Sequence, residues 1–161
     1  MTNYKWNTFV DCAGCRFQEQ CTASTVCQWP CGFIASQDFP ITYHHNRKCT
    51  WTIQVDHHFY IQLRFLYFDI FEETSRDCVT DYVELIDGGL TSQNDVTLGK
   101  YCNTFFPPSF SYSSWNRMIV NFFTDTQTAK SGFLAKYDMK IYELPTDLTW
   151  ESNSTGERVT T

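Results

Sequence analysis

Apolar and polar residues alternate along several short runs of the chain, and a period of two marks strands with one buried face. Trp51, Ile53 and Val55 alternate with Thr52 and Gln54. Ile61, Leu63 and Phe65 alternate with Gln62, Arg64 and Leu66, in a run that continues to Phe68. Residues 82–86 form the next strand-like run, stopped by the turn signal Asp87-Gly88-Gly89. Residues 90–97 read as a polar loop, 98–102 as a short strand, and Pro107-Pro108 as a break. Over 117–123, Met118, Val120 and Phe122 alternate with Ile119, Asn121 and Phe123. Both sets are partly apolar, which predicts a central strand. The cleanest alternation runs over 133–142, with Phe133, Ala135, Tyr137, Met139 and Ile141 on one face and Lys136, Asp138 and Lys140 on the other. No helical period occurs. Short strands separated by turn signals predict an all-β antiparallel sandwich.

The two ends of the chain lack this pattern. Residues 1–30 carry Cys12, Cys15, Cys21 and Cys27 with no clear period and read as a small disulfide-stapled extension. So short a piece cannot bury a core unaided. After Pro145 the segment 144–161 is polar and reads as a tail or linker. It holds the sequon Asn153-Ser154-Thr155, which makes Asn153 the candidate glycan site.

The eight cysteines, completed by Cys31, Cys49, Cys78 and Cys102, sharpen the reading. An even count with wide spacing in the second half points to disulfides formed in an oxidising compartment. Zinc is the weaker reading, because Cys12-x-x-Cys15 has no second ligand pair at the usual distance. No segment approaches the roughly 18 apolar residues of a membrane span. The first residues contain no apolar leader. Disulfides without a leader imply a piece of a longer secreted or membrane-anchored protein, and an extracellular location.

Net charge is −6 and no block of Lys or Arg occurs. Nucleic acid, which requires clustered basic residues, is therefore excluded as a partner. A cation or a basic protein partner fits better. The acidic groups concentrate in one place: Asp69, Glu72, Glu73, Asp77 and Asp81 put five carboxylates into 13 residues. They repel one another unless a cation or a basic group offsets them. Hard oxygen ligands of this kind suit calcium, although a solvated acidic turn has the same composition.

Between Cys31 and Tyr142 the motifs resemble the CUB domain. Gly32-Phe33-Ile34-Ala35-Ser36, with Phe39-Pro40 and Tyr43, is similar to the family's opening, with Gln37 where proline is usual. Cys49-Thr50-Trp51-Thr52-Ile53, Asp81-Tyr82-Val83-Glu84 with Asp87-Gly88, and Gly99-Lys100-Tyr101-Cys102 with Pro107-Pro108 follow in the family's order. Asn103 replaces a usual glycine. Phe122-Phe123-Thr124-Asp125 and Gly132-Phe133 complete the set.

The resemblance places a domain at 31–143 and implies a jelly-roll-like sandwich of about ten strands stapled by two disulfides. One bond joins Cys78 to Cys102, and the other joins Cys49 to Cys31 or Cys27. It further implies one Ca2+ ion held by Asp81, Asp125 and a glutamate of the acidic loop, with Tyr43 as a brace and main-chain oxygen near Gln127. An inserted residue leaves both Glu72 and Glu73 as candidates for that glutamate. The implied function is non-catalytic: an extracellular module whose calcium-organised acidic loops bind a Lys or Arg of a protein ligand or co-receptor. Regulatory exosite work beside a secreted protease, spermadhesin-like carbohydrate binding and a purely structural spacer are the alternatives.

Nothing in the residues indicates an enzyme. Nucleophile-elbow, zinc-protease and phosphate-loop motifs are all missing. His44-His45 and His57-His58 read as exposed turn residues in polar text and not as metal ligands, because neighbours on an extended chain point to opposite faces and chelate poorly. The paired acids could serve a glycosidase only across a cleft, and no feature suggests one. Phe110 and Trp115 lie in the Ser/Tyr-rich stretch 109–117 and are expected to be buried at the core edge. Exposure would instead make them a binding anchor.

Overall fold

In the computed structural model, the described residues are 25–27, 31–71, 77–103 and 105–142. Among these residues nine strands form two facing sheets. The strands are β1 (Thr25–Cys27), β2 (Cys31–Ala35), β3 (Arg47–Gln54), β4 (Phe59–Asp69), β5 (Tyr82–Gly88), β6 (Val96–Tyr101), β7 (Ser111–Tyr112), β8 (Arg117–Thr124) and β9 (Gly132–Ile141). One sheet has the order β1-β3-β8-β5-β6 and the other β2-β9-β4-β7. Every pairing is antiparallel except that of β1, which lies parallel to β3. The only helical element among the described residues is a single 3-10 turn, Ser92–Asn94.

The alternation expected from the sequence becomes the interior of the sandwich. Trp51 and Ile53 from β3, with Met118, Val120 and Phe122 from β8, face Ile61 and Leu63 from β4 and Phe133, Ala135 and Tyr137 from β9, all buried. The strand predicted to be central is β8, which pairs with β3 on one side and β5 on the other. Aromatic edges tie the two sheets together. The Trp51 and Phe133 rings meet at 5.5 Å, and Phe133 meets Phe122 at 5.5 Å, both near perpendicular. Such pairs contribute beyond the area they bury.

Local details depart from the sequence reading. A register shift between Phe65 and Tyr67 marks a bulge in β4, and Leu66 is exposed. β5 runs on through Asp87 to Gly88 rather than stopping before them. The aspartate is tied in, because its Oδ1 accepts the Ser114 amide at 2.8 Å. Val96 is already in a strand rather than in the preceding loop.

Phe110 and Trp115 are not buried; they are 41% and 47% exposed. For Phe110 the cause is the phase of the serines around β7; Trp115 lies past the strand, in a bend. Ser111 and Ser113 take the inward positions, and the Ser113 hydroxyl accepts the Ile61 amide at 2.8 Å. Alternation then turns Phe110 and Tyr112 outward. The rule used for His57-His58 fails as well. They lie in the turn between β3 and β4, not on extended chain, and their rings sit together with centroids 3.9 Å apart.

Cys78 and Cys102 are bonded to each other. Cys31 and Cys49 are each disulfide-bonded too, and Cys78–Cys102 is the bond with both halves among the described residues. Cys12, Cys15, Cys21 and Asn153 lie outside those residues.

Candidate metal centre

Strand register gathers four distant segments at one tip. β5 begins at Tyr82 and β8 ends at Thr124, and Tyr82 pairs with Phe123. Asp81, just before β5, and Asp125, just after β8, therefore leave the sheet side by side. Arg47 pairs with Thr124, which brings the start of β3 and the Tyr43 segment to the same end. Asp69 pairs with Gly132, so the first residues after β4 arrive there also.

Asp81 is the centre of the cluster and is fully buried. Its Oδ2 accepts the Tyr43 hydroxyl at 2.6 Å, and its Oδ1 accepts the Asp125 amide at 2.7 Å. The Tyr43 oxygen in turn accepts the Phe71 amide at 3.0 Å. One phenol thus links the β5 approach to the end of β4. Its ring stands edge-on to Phe122 at 5.2 Å, so the core beneath fixes its direction. The Asp125 loop is pinned twice more: Oδ1 accepts the Gln127 amide at 2.8 Å, and its carbonyl accepts the Asn46 amide at 2.7 Å.

The electrostatics are unfavourable to negative charge. Burial pushes the Asp81 carboxyl above its usual 3.8, and the nearby Asp125 carboxylate adds to the push, while the Tyr43 and Asp125 hydrogen bonds oppose it. Burial also raises the Tyr43 phenol, helped by its bond to Asp81. Among the described residues no Lys, Arg or His pairs with Asp81 or Asp125; Lys130 is engaged by Asp69 at 3.1 Å. Two adjacent carboxylates without a positive partner among the described residues, supplying only oxygen, fit a hard cation.

This pattern has a pH consequence. In chelator, native Asp81 binds its proton more tightly than unfolded Asp81, so stability falls as pH rises from about 3.8 through the native-state value. Urea unfolding of wild type and Asp81→Asn in chelator, between about pH 4 and pH 7, checks this. The wild type is expected to lose stability relative to the variant as pH rises. A parallel pair of curves would refute the assignment.

Of the residues implicated by sequence, Tyr43, Asp81 and Asp125 meet at this tip, with the Gln127 amide on Asp125. Glu72 and Glu73 lie outside the described residues. The main-chain donors Phe71 and Asn46 had no sequence signal as site groups. Only the left-handed backbone of Asn46, φ 52°, matches a preference of its residue type.

A two-sheet β-sandwich, disulfide-stapled and carrying acidic groups at one loop tip, is the class of protein these features define. A family model for the CUB domain matches residues 16–137, and the chain belongs to that family. Procollagen C-endopeptidase enhancer 2 of Mus musculus is 39% identical over 106 residues, covering 66% of this chain and 24% of the enhancer. Neuropilin-1 of Gallus gallus is 30% identical over 141 residues, covering 83% of this chain and 15% of the neuropilin. The chain therefore spans a quarter or less of these relatives. A crystal structure of the MASP-1 CUB2 domain bound to Ca2+ shares the fold, with a TM-score of 0.62 and 23% identity, covering 72% of this chain and 99% of that one. The chain is an extracellular protein-interaction module, of a kind that is generally non-catalytic.

Proposed function

We propose that the tip built on Asp81 and Asp125 is a calcium site and that it presents carboxylate oxygen to a Lys or Arg of a protein partner. The observation that carries this reading is the buried Asp81, drawn against Asp125 with no basic side chain to offset either among the described residues. Asp81, Asp125 and one of Glu72 or Glu73 would hold the ion, which supplies the positive charge this cluster lacks. Tyr43 orients Asp81 and keeps its oxygens facing the tip. The Gln127 and Asn46 amides hold the Asp125 loop in place before a partner arrives. A carboxylate oriented in advance makes a charge-assisted hydrogen bond to a cationic side chain at little further ordering cost.

Extracellular calcium modules typically bind on the order of 10⁻⁴–10⁻³ M. Calorimetric titration with calcium should give one ion per chain in the wild type and no saturable heat in Asp125→Asn. A flat wild-type titration would sink the proposal, as would equal affinity in the variant.

A further inference from the structure

We propose that Asp56, His57 and His58 form a metal site of a different kind at the opposite pole of the sandwich, taking a transition-metal ion of the zinc class. β3 starts beside the acidic tip and runs away from it, so the turn that follows Gln54 lies at the far end. There the turn folds both imidazoles onto one carboxylate. His57 Nδ1 lies 2.8 Å and His58 Nδ1 3.6 Å from the same oxygen, Asp56 Oδ1. The three candidate ligand atoms all fall within 4.8 Å of one another.

The spacing suits a small ion. Zinc holds nitrogen and oxygen ligands at about 2.0–2.2 Å, which in a tetrahedron puts ligand atoms about 3.3–3.6 Å apart. The observed separations bracket that value, so small side-chain rotations complete the set. Donor chemistry selects the metal: two imidazole nitrogens and one carboxylate suit zinc or copper and not calcium, which prefers an oxygen shell. The carboxylate oxygen is shared unequally, close to one ring and farther from the other, and the two rings lie with centroids 3.9 Å apart. The side chains of Asp56, His57 and His58 are 61%, 77% and 73% exposed, so ions reach them freely. Three protein ligands leave the fourth tetrahedral position open to water or to a group from another molecule.

Calorimetric titration of Zn2+ into the full chain, with calcium held in excess, tests the site. The wild type should bind one ion through this turn. Loss of even an outer-shell partner costs about 10–100-fold in metal affinity, so His57→Gln and His58→Gln, each removing a direct ligand, should each weaken binding by at least about tenfold. The double variant should lose the zinc isotherm, while His44→Gln, at the other histidine pair, leaves it intact. Melting curves without zinc should coincide for all variants, since the turn is exposed. An unchanged isotherm in the double variant overturns the proposal. So does a wild type that binds no zinc, or a loss confined to one of the two histidines.

Discussion

Alanine at position 81 is expected to abolish the calcium dependence of thermal unfolding, while the wild type melts about 10 °C higher in excess calcium than in chelator. The size follows from linkage. An ion at roughly 100 times its dissociation constant stabilises the native state by about 2.7 kcal/mol. A domain of about 100 residues gains roughly 4 °C for each kcal/mol. Asp81→Ala removes the carboxylate on which Tyr43 and the Asp125 amide converge. The buried Tyr43 hydroxyl then loses its acceptor, which costs about 1–3 kcal/mol even in chelator. The variant should therefore melt below the wild type and at one temperature with or without calcium. A calcium shift of equal size in the variant would place the ion elsewhere. No shift in the wild type would leave a carboxylate network that serves only to brace the loops.

Much of this fold was legible in the sequence because alternation is local. The apolar phases of β3, β8 and β9 can be counted from one residue to the next, and each led to the right face, except that Ile141 at the end of β9 is 64% exposed. Features that depend on a neighbour were not legible. The bulge at Leu66 exists because β4 must stay in register with β9 on both sides of it. Strand β1 comes from a stretch with no period and is defined by its parallel pairing with β3. Phe110 and Trp115 were misjudged because large aromatics are usually buried, whereas here small serines hold the inward positions beside Phe110 and Trp115 lies in a bend beyond β7. The histidine turn is exposed, as read, but its rings do not point apart, because the rule for an extended chain does not hold within a turn.

The meeting of Asp81 and Asp125 lies between these cases. Neither residue nor its spacing says that they touch. Family motifs put both in view, and the β5–β8 pairing makes them neighbours. Phe71 marks the same boundary. Its contribution is the backbone amide on the Tyr43 hydroxyl. Side-chain identity carries no information about that bond.

Truncating Phe122 to alanine should have the largest effect on stability of any change considered, and it should also reach the site. The ring is 1% exposed and packs edge-on against both Phe133 and Tyr43. Phe→Ala in a packed core costs about 3–5 kcal/mol, a large part of the roughly 5–15 kcal/mol that holds a domain folded. At roughly 4 °C for each kcal/mol, the expected drop is about 12–20 °C. The consequence for the site follows from where the ring stands. Phe122 supports one face of Tyr43, and Tyr43 aims Asp81. The calcium-induced shift should therefore shrink in Phe122→Ala. Ile53→Ala provides the comparison, at about 2–5 kcal/mol for a truncation of this class. Ile53 is also fully buried, but it pairs with Met118 toward the pole away from Asp81. It should lower the melting temperature and leave the calcium shift at full size. Equal shifts in the two variants would mean that the acidic tip is held by its own hydrogen bonds alone, with no support from the aromatic core below.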